Sequence, residues 1–181
     1  MMFEQSDFLI RRAAAGEAAA LSALALRSKA HWGYDEPFLE SVRPLLTFTE
    51  ADLAGSPVYV LTVDGEALGV YRLSGAPPEG ELDDLWLDPS LIGLGYGRRL
   101  FAHALRTAQE LGFESLLIEG DPNAEGFYIA MGASRIGTRP RAYLGCRVGE
   151  AGSERRAVHL DSDARVRRPI ALSPSPPAYV R

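Results

Sequence analysis

Two β-rich runs, PVYVLTV and EALGVYRLS, meet at Asp64-Gly65. Asp-Gly between two such runs is a strong local mark of a two-residue hairpin, because both turn positions need φ > 0. Antiparallel pairing over residues 57–74 is therefore predicted before any parallel crossover. After the loop GAPPEG comes ELDDLWLDP, read as a strand with Glu81, Asp83, Leu85 and Leu87 on one face. Upstream, FLIRR reads as a strand over 8–12. A helix follows, with Leu21, Leu24 and Ser28 on one face and Ala20 and Ala25 beside them. DEPFLESVRPLLT reads as a shorter helix: Asp35 caps it, Pro37 suits its first turn and Pro44 disturbs its end.

The meander runs into LDPSLIGLGYGRRLFAHAL, with Gly93, Gly95 and Gly97 on alternate positions and an amphipathic helix over 97–111 directly behind them. Leu100, Ala104, Ala108 and Leu111 line up for burial, and Gly112 stops the helix. Glycine reaches φ > 0 freely, and a helix that starts there aims unpaired N–H groups at one spot, so the guest suggested is an anion, most simply a phosphate. SLLIEG is an apolar strand suited to a central sheet position. DPNAEGFYIAMGAS supplies a loop, a short helix near 124–131 and a strand over 133–139. RRAVHL reads as one last strand, and RPIALSPSPPAYVR as a proline-rich tail. The order is that of a mixed α+β sheet and not of a repeating βαβ fold. The expected division is a domain over 1–148, with the last strand and tail over 149–181.

Composition excludes more than it assigns. Of 181 residues, 46% are hydrophobic and 24% charged, as in an ordinary globular domain. No apolar run nears the ~20 residues that span a bilayer, and MMFEQSDFLIRR lacks a basic segment followed by an apolar one. The single cysteine, Cys146, fits a reducing cytoplasm, and a net charge of −5 argues against nucleic acid as partner. A P-loop would end in Gly-Lys-Ser/Thr, where this chain has Arg98-Arg99. A dinucleotide turn needs Gly-x-Gly-x-x-Gly straight after an apolar strand, whereas the spacing here is Gly-x-Gly-x-Gly behind Asp83 and Asp84. His31, His103 and His159 have no metal-ligand spacing, and no serine sits in a Gly-x-Ser-x-Gly elbow.

Three stretches together resemble the GNAT superfamily of acyl-CoA-dependent N-acyltransferases. ELDDLWLDPSLIGLGYGRRLFAHAL is similar to its central strand, pyrophosphate loop and following helix. SLLIEGDPNAEGFYIAMGAS is similar to its next strand, cofactor-side asparagine and tyrosine-bearing helix, and IRRAAAGEAAALSAL to its opening. The resemblance spans residues 8–140 and departs from the family at Ile92, where Arg or Gln is usual. It implies a GNAT-like α+β fold: a mostly antiparallel, twisted sheet of six to seven strands flanked by helices, with a splayed strand pair holding acetyl-CoA. The pyrophosphate would meet N–H groups across Gly93, Leu94, Gly95, Tyr96, Gly97 and Arg98. Backbone groups of Leu85 and Leu87 would bond the pantetheine arm, with Asn123 on the cofactor side and Tyr128 at the sulfur.

Only about one primary amine in a thousand is neutral at pH 7, so supplying the nucleophile costs ~4 kcal/mol unless a base removes its proton. By the resemblance, Glu81 stands where the base is held, with Asp83 or Asp84 acting through water as competitor, and Tyr128 protonates the departing thiolate. The acceptor site is expected between the N-terminal helices and the acidic strand. There Trp32, Tyr34, Asp35 and Asp83 put aromatic faces beside carboxylates and suit a small cationic amine. The reading implied is direct, metal-free acetyl transfer from acetyl-CoA to a primary amine, by a cytoplasmic monomer or homodimer that engages neither nucleic acid nor membrane. The alternative is a catalytically silent acyl-CoA-binding or sensing domain, which keeps the glycine loop without needing Tyr128.

Overall fold

A computed structural model describes residues 7–139 and 153–159. Seven strands form one sheet in the order β1 (Phe8–Arg12), β2 (Val58–Val63), β3 (Glu66–Ala76), β4 (Glu79–Leu87), β5 (Ser115–Gly120), β7 (Ser153–His159), β6 (Ser134–Arg139). Every neighbouring pair is antiparallel except β4 and β5, which run parallel over four residue pairs, Glu79–Leu82 against Ser115–Ile118. The Asp64-Gly65 turn joins β2 to β3 with both residues at positive φ, as the dipeptide predicts. GAPPEG, read as a loop, is tighter than expected: β3 reaches Ala76 and β4 starts at Glu79, leaving only Pro77 and Pro78 between them. Gly80 lies against Phe113, whose ring atoms would meet an added Cβ at 2.6–2.8 Å.

Helices cover both faces. On one face, α1 (Ala18–Ala30), α2 (Glu36–Val42) and α3 (Glu50–Gly55) pack Leu21, Leu24, Ala25, Val42 and Leu53 onto Val58, Val60 and Val70. Asp35 caps α2 through the Phe38 N–H at 2.9 Å. Ala20 is exposed, and Lys29 is buried with Ser28 at the end of α1. The helix α3 lay hidden from the sequence reading, although Thr49 and Asp52 form a full capping box. On the other face, α4 (Tyr96–Glu110) buries Leu100, Phe101, Ala104 and Ala108, with α5 (Glu125–Ala130) beside it. Leu111, placed on the buried stripe from its spacing, is 41% exposed: α4 has ended, and Phe101 fills the core instead. Tyr71, fully buried beneath α4, satisfies its hydroxyl with His103 Nδ1 at 2.7 Å and Thr107 Oγ1 at 2.8 Å. The strand expected over RRAVHL is β7, paired between β5 and β6. Cys146 and the proline-rich tail lie outside the described residues.

Candidate functional site

The sheet opens where β4 and β5 part. Beyond Leu82 and Ile118 the two strands no longer pair, and β4 keeps only β3 as partner out to Leu87. One edge of β4 therefore presents unpaired backbone groups to a cleft of about 380 Å³ that passes through the sheet. Asp83, Trp86, Ser28 and Trp32 line it on the α1 face; Leu85, Leu87, Gly95, Gly97 and Phe127 line it on the α4 face. Asn123, Tyr128 and Met131 close it from the β5 side. Tyr128 is 5% exposed and packs edge-on against Phe101 and Phe127.

Gly93 and Gly95 have φ of +82° and +86°, and nothing lies within 4 Å of where a Cβ would stand. Their glycine character comes from the backbone turn, not from crowding by the protein; a side chain in this region costs ~1–2 kcal/mol. Gly97 has ordinary helical geometry, and a Cβ there would only touch Phe127 at 3.5 Å. Gly95 is the N-cap of α4, so the N–H groups from Gly95 to Arg98 precede the first intrahelical bond, Arg99 N–H to Gly95 at 3.3 Å. Arg98 adds a cation to the same rim. The side chains of Leu94 and Tyr96, two residues whose N–H groups are expected on the phosphate, do not line the cleft, but the Tyr96 N–H stays in the run from Gly95 to Arg98 that precedes the first intrahelical bond. The Leu94 N–H bonds the Leu91 carbonyl at 3.3 Å, and the Tyr96 ring meets Phe8 edge-on.

A β-bulge decides which carboxylates face the opening. Leu73 pairs with Leu82 and Arg72 with Asp84, so Asp83 is an extra residue in β4. The single face expected for Glu81, Asp83, Leu85 and Leu87 is therefore split. Leu85 and Leu87 pack with the α4 core, whereas Asp83 turns to the other face and accepts from Ser74 Oγ at 3.0 Å. Asp83 and Asp84 share Arg72, whose Nε stands 3.6 Å and 2.8 Å from them without an aligned hydrogen bond, while its Nη1 donates to Asp52 at 3.1 Å. Trp86 Nε1 donates to Asp84 at 2.9 Å. Desolvation pushes both carboxyls above the usual aspartate range: Asp84 is buried, whereas Asp83, like Glu81 an exposed residue of β4, has a side chain that is 24% exposed. Ser74 and Arg72 oppose the rise at Asp83, and Arg72 and Trp86 oppose it at Asp84. Glu81 is exposed and does not line the cleft.

The acceptor-side aromatics divide likewise. Trp32 stands at the mouth, 41% exposed. Asp35 does not line the cleft, its carboxylate being the α2 cap. Tyr34 sits behind the wall and donates to Asp121 Oδ2 at 2.8 Å. Asp121 also pairs with buried Lys29 and accepts from the Asn123 N–H at 2.8 Å. Burial alone would raise the Asp121 carboxyl. Lys29, the Asn123 N–H and Tyr34 outweigh it and hold the group below the usual range. The sequence reading missed Lys29 and Asp121. Among the described residues, no group of three or more His, Cys, Asp or Glu side chains is arranged to hold a metal, and no helix is long and apolar enough to cross a membrane.

Solved structures share this architecture. A GCN5-related N-acetyltransferase from Rhodopseudomonas palustris superposes with a TM-score of 0.72 at 20% identity, over 86% of this chain and 97% of that one. PaiA N-acetyltransferase from Thermoplasma acidophilum, in complex with coenzyme A, gives 0.67 at 14% identity, over 84% and 99%. YncA from Salmonella typhimurium, a putative acetyltransferase with acetyl-CoA bound, gives 0.60 at 19%, over 92% and 100%. At these identities the likeness is one of fold. No curated protein sequence matches the chain. The sequence profile of the acetyltransferase (GNAT) family matches residues 23–133, from within α1 to the start of β6, and so takes in the splayed strands, the glycine turn and α5. The chain belongs to the GNAT acetyltransferase family.

Proposed function

We propose that this protein is an N-acetyltransferase that moves an acetyl group from acetyl-CoA to the primary amine of a small cationic acceptor. One observation carries the reading: an open strand edge, a cradle of free N–H groups and a buried tyrosine meet in one cleft. The residues fit the cofactor. Positive φ at Gly93 and Gly95 turns the backbone with open space above it, which a diphosphate fills with its charge toward the N–H groups of Gly95 to Arg98. The edge of β4 at Leu85 and Leu87 suits an extended arm bearing amides, which pairs as an added strand would. When bound, acetyl-CoA supplies an activated thioester carbonyl.

The chain's own residues then handle two protons. Asp83 meets the acceptor's ammonium with a carboxylate and takes the proton as the nitrogen becomes a nucleophile. Its raised pKa lies closer to that of the amine, which lowers the cost of the transfer. Asp83 takes this role in place of Glu81, which stands outside the cleft. Tyr128 donates its phenolic proton to the departing sulfur, and its packing against Phe101 and Phe127 holds the ring in place. Aromatic Trp32 and Trp86 give the acceptor's apolar part a surface beside Asp83. Incubation with acetyl-CoA and a panel of primary amines, read as free thiol released, tests the reading. Amine-dependent thiol release is the expected result. Acetyl-CoA binding with no thiol release across the panel would favour a silent acyl-CoA-binding domain.

A further inference from the structure

The chain's single lysine is buried on the acceptor side of the cleft. Lys29 Nζ pairs with Asp121 and stands 4.5 Å from the ring centre of Tyr34 and 5.5 Å from that of Phe38, two rings stacked on each other. One oxygen of Asp121 thus receives Lys29 and Tyr34; the other receives the Asn123 N–H at 2.8 Å and Asn123 Nδ2 at 2.9 Å. The same Nδ2 donates to Tyr34 Oη at 3.2 Å. A carboxylate can only accept, so the amide nitrogen must face Asp121, and the carbonyl Oδ1 is the side-chain atom of Asn123 left for a ligand. Groups 87 and 92 residues apart are joined in one unit. It ties the segment carrying Trp32 to the turn that leads into α5 and Tyr128.

We propose that the Tyr34 hydroxyl couples the two halves of the cleft, with Lys29 as the positioning residue that holds Asp121 in place for it: a ligand N–H held by Asn123 Oδ1 orders, through Asp121 and the Tyr34 hydroxyl, the segment that receives the acceptor. The inference rests on the acetyl-CoA reading, because it is the cofactor that engages Asn123. A buried ion pair adds little stability over apolar side chains of the same volume; what it adds here is a fixed geometry shared by two sites. Such coupling is reciprocal, so an occupant beside Trp32 tightens cofactor binding by the same factor.

Amide hydrogen exchange with coenzyme A as the probe tests this without a known acceptor. In the unaltered protein, saturating coenzyme A slows exchange at residues 93–98 and, by about fivefold or more, across 31–42 as well. The double variant K29M/D121L replaces both charges by apolar groups, and Tyr34→Phe removes only the bridging hydroxyl while keeping the ring stack. Both are expected to keep the protection at 93–98 and to lose the ligand-induced part at 31–42. Tyr34→Phe should melt within a few degrees of the unaltered protein, so it decides the matter if the double variant does not fold. Protection across 31–42 that persists in Tyr34→Phe, or that never appears in the unaltered protein, overturns the coupling. Absence of protection at 93–98 in the unaltered protein overturns the acetyl-CoA reading itself, and the coupling with it.

Discussion

The two halves of the cleft are built from different material. The half toward α4 offers polar groups that are almost all backbone, set among Leu85, Leu87 and Phe127: an unpaired edge of β4, N–H groups at the start of a helix, and glycines whose φ lets the chain turn. The half toward α1 is all side chains, and its partners come from distant parts of the chain: Arg72 among Asp52, Asp83 and Asp84, and Lys29 with Tyr34, Asp121 and Asn123. Backbone recognition needs the right turn and little else, so Ile92 in place of Arg or Gln leaves the N–H cradle intact. Side-chain recognition changes with every substitution, so on the proposed reading this half would set the choice of acceptor.

The largest effect is expected where the halves meet. Tyr128→Phe keeps the packed ring and removes the proton donor, so kcat should fall about 10²–10⁴-fold with acetyl-CoA affinity held within a few-fold. Unchanged turnover, with chemistry shown to limit the rate, would take the acid role from Tyr128. On the side-chain half, Asp83→Asn should lower kcat about 10²-fold. The pH profile gives the sign. The base works ionised, so the rate rises with pH through a value above the usual aspartate range, and Asn removes that limb. A carboxyl whose pKa is raised on folding makes the native state less stable as pH rises from its unfolded value through its folded one. Asp83→Asn should therefore hold or raise Tm at neutral pH while it slows turnover. Glu81→Gln, outside the cleft, is the control and should stay within about twofold.

On the backbone half, Gly95→Val places a β-branched residue at φ +86° and should weaken acetyl-CoA about tenfold or more, seen as loss of the ligand-induced rise in Tm. Gly97→Ala is the finest probe. In ordinary helical geometry it should stabilise the free protein by ~0.5–1 kcal/mol, raising Tm slightly. If acetyl-CoA affinity falls at the same time, the third glycine is there for the ligand; an unchanged affinity would mean that Gly93 and Gly95 alone make the cradle.

What could be read from the sequence follows the same division. The hairpin at Asp64-Gly65, the glycine turn and the α4 stripe are local signals, in which a few adjacent residues state the geometry. Spacing puts Leu111 on the buried stripe because the stripe gives the face of a helix and not where the helix stops, and it leaves Phe101 out although that ring is fully buried. The bulge at Asp83 is invisible to an alternation rule. One extra residue reverses which side chains face which way, and so Glu81 was grouped with Leu85 and Leu87. Lys29 carries no local mark at all. It reads as an exposed helix-end lysine until the fold brings Asp121, 92 residues later, to meet it.

The four pairs that join β4 to β5 give the sheet the mechanics of a clothes-peg. β1 to β4 form one jaw, and β5, β7 and β6 form the other. At the spring lies Gly80, pressed onto the Phe113 ring with no room for a methyl group. A single carbon added at Gly80 would have to displace the Phe113 ring at the closed end of the splay, and any change of strand angle made there would be carried along β4 out to Leu87, at the open end.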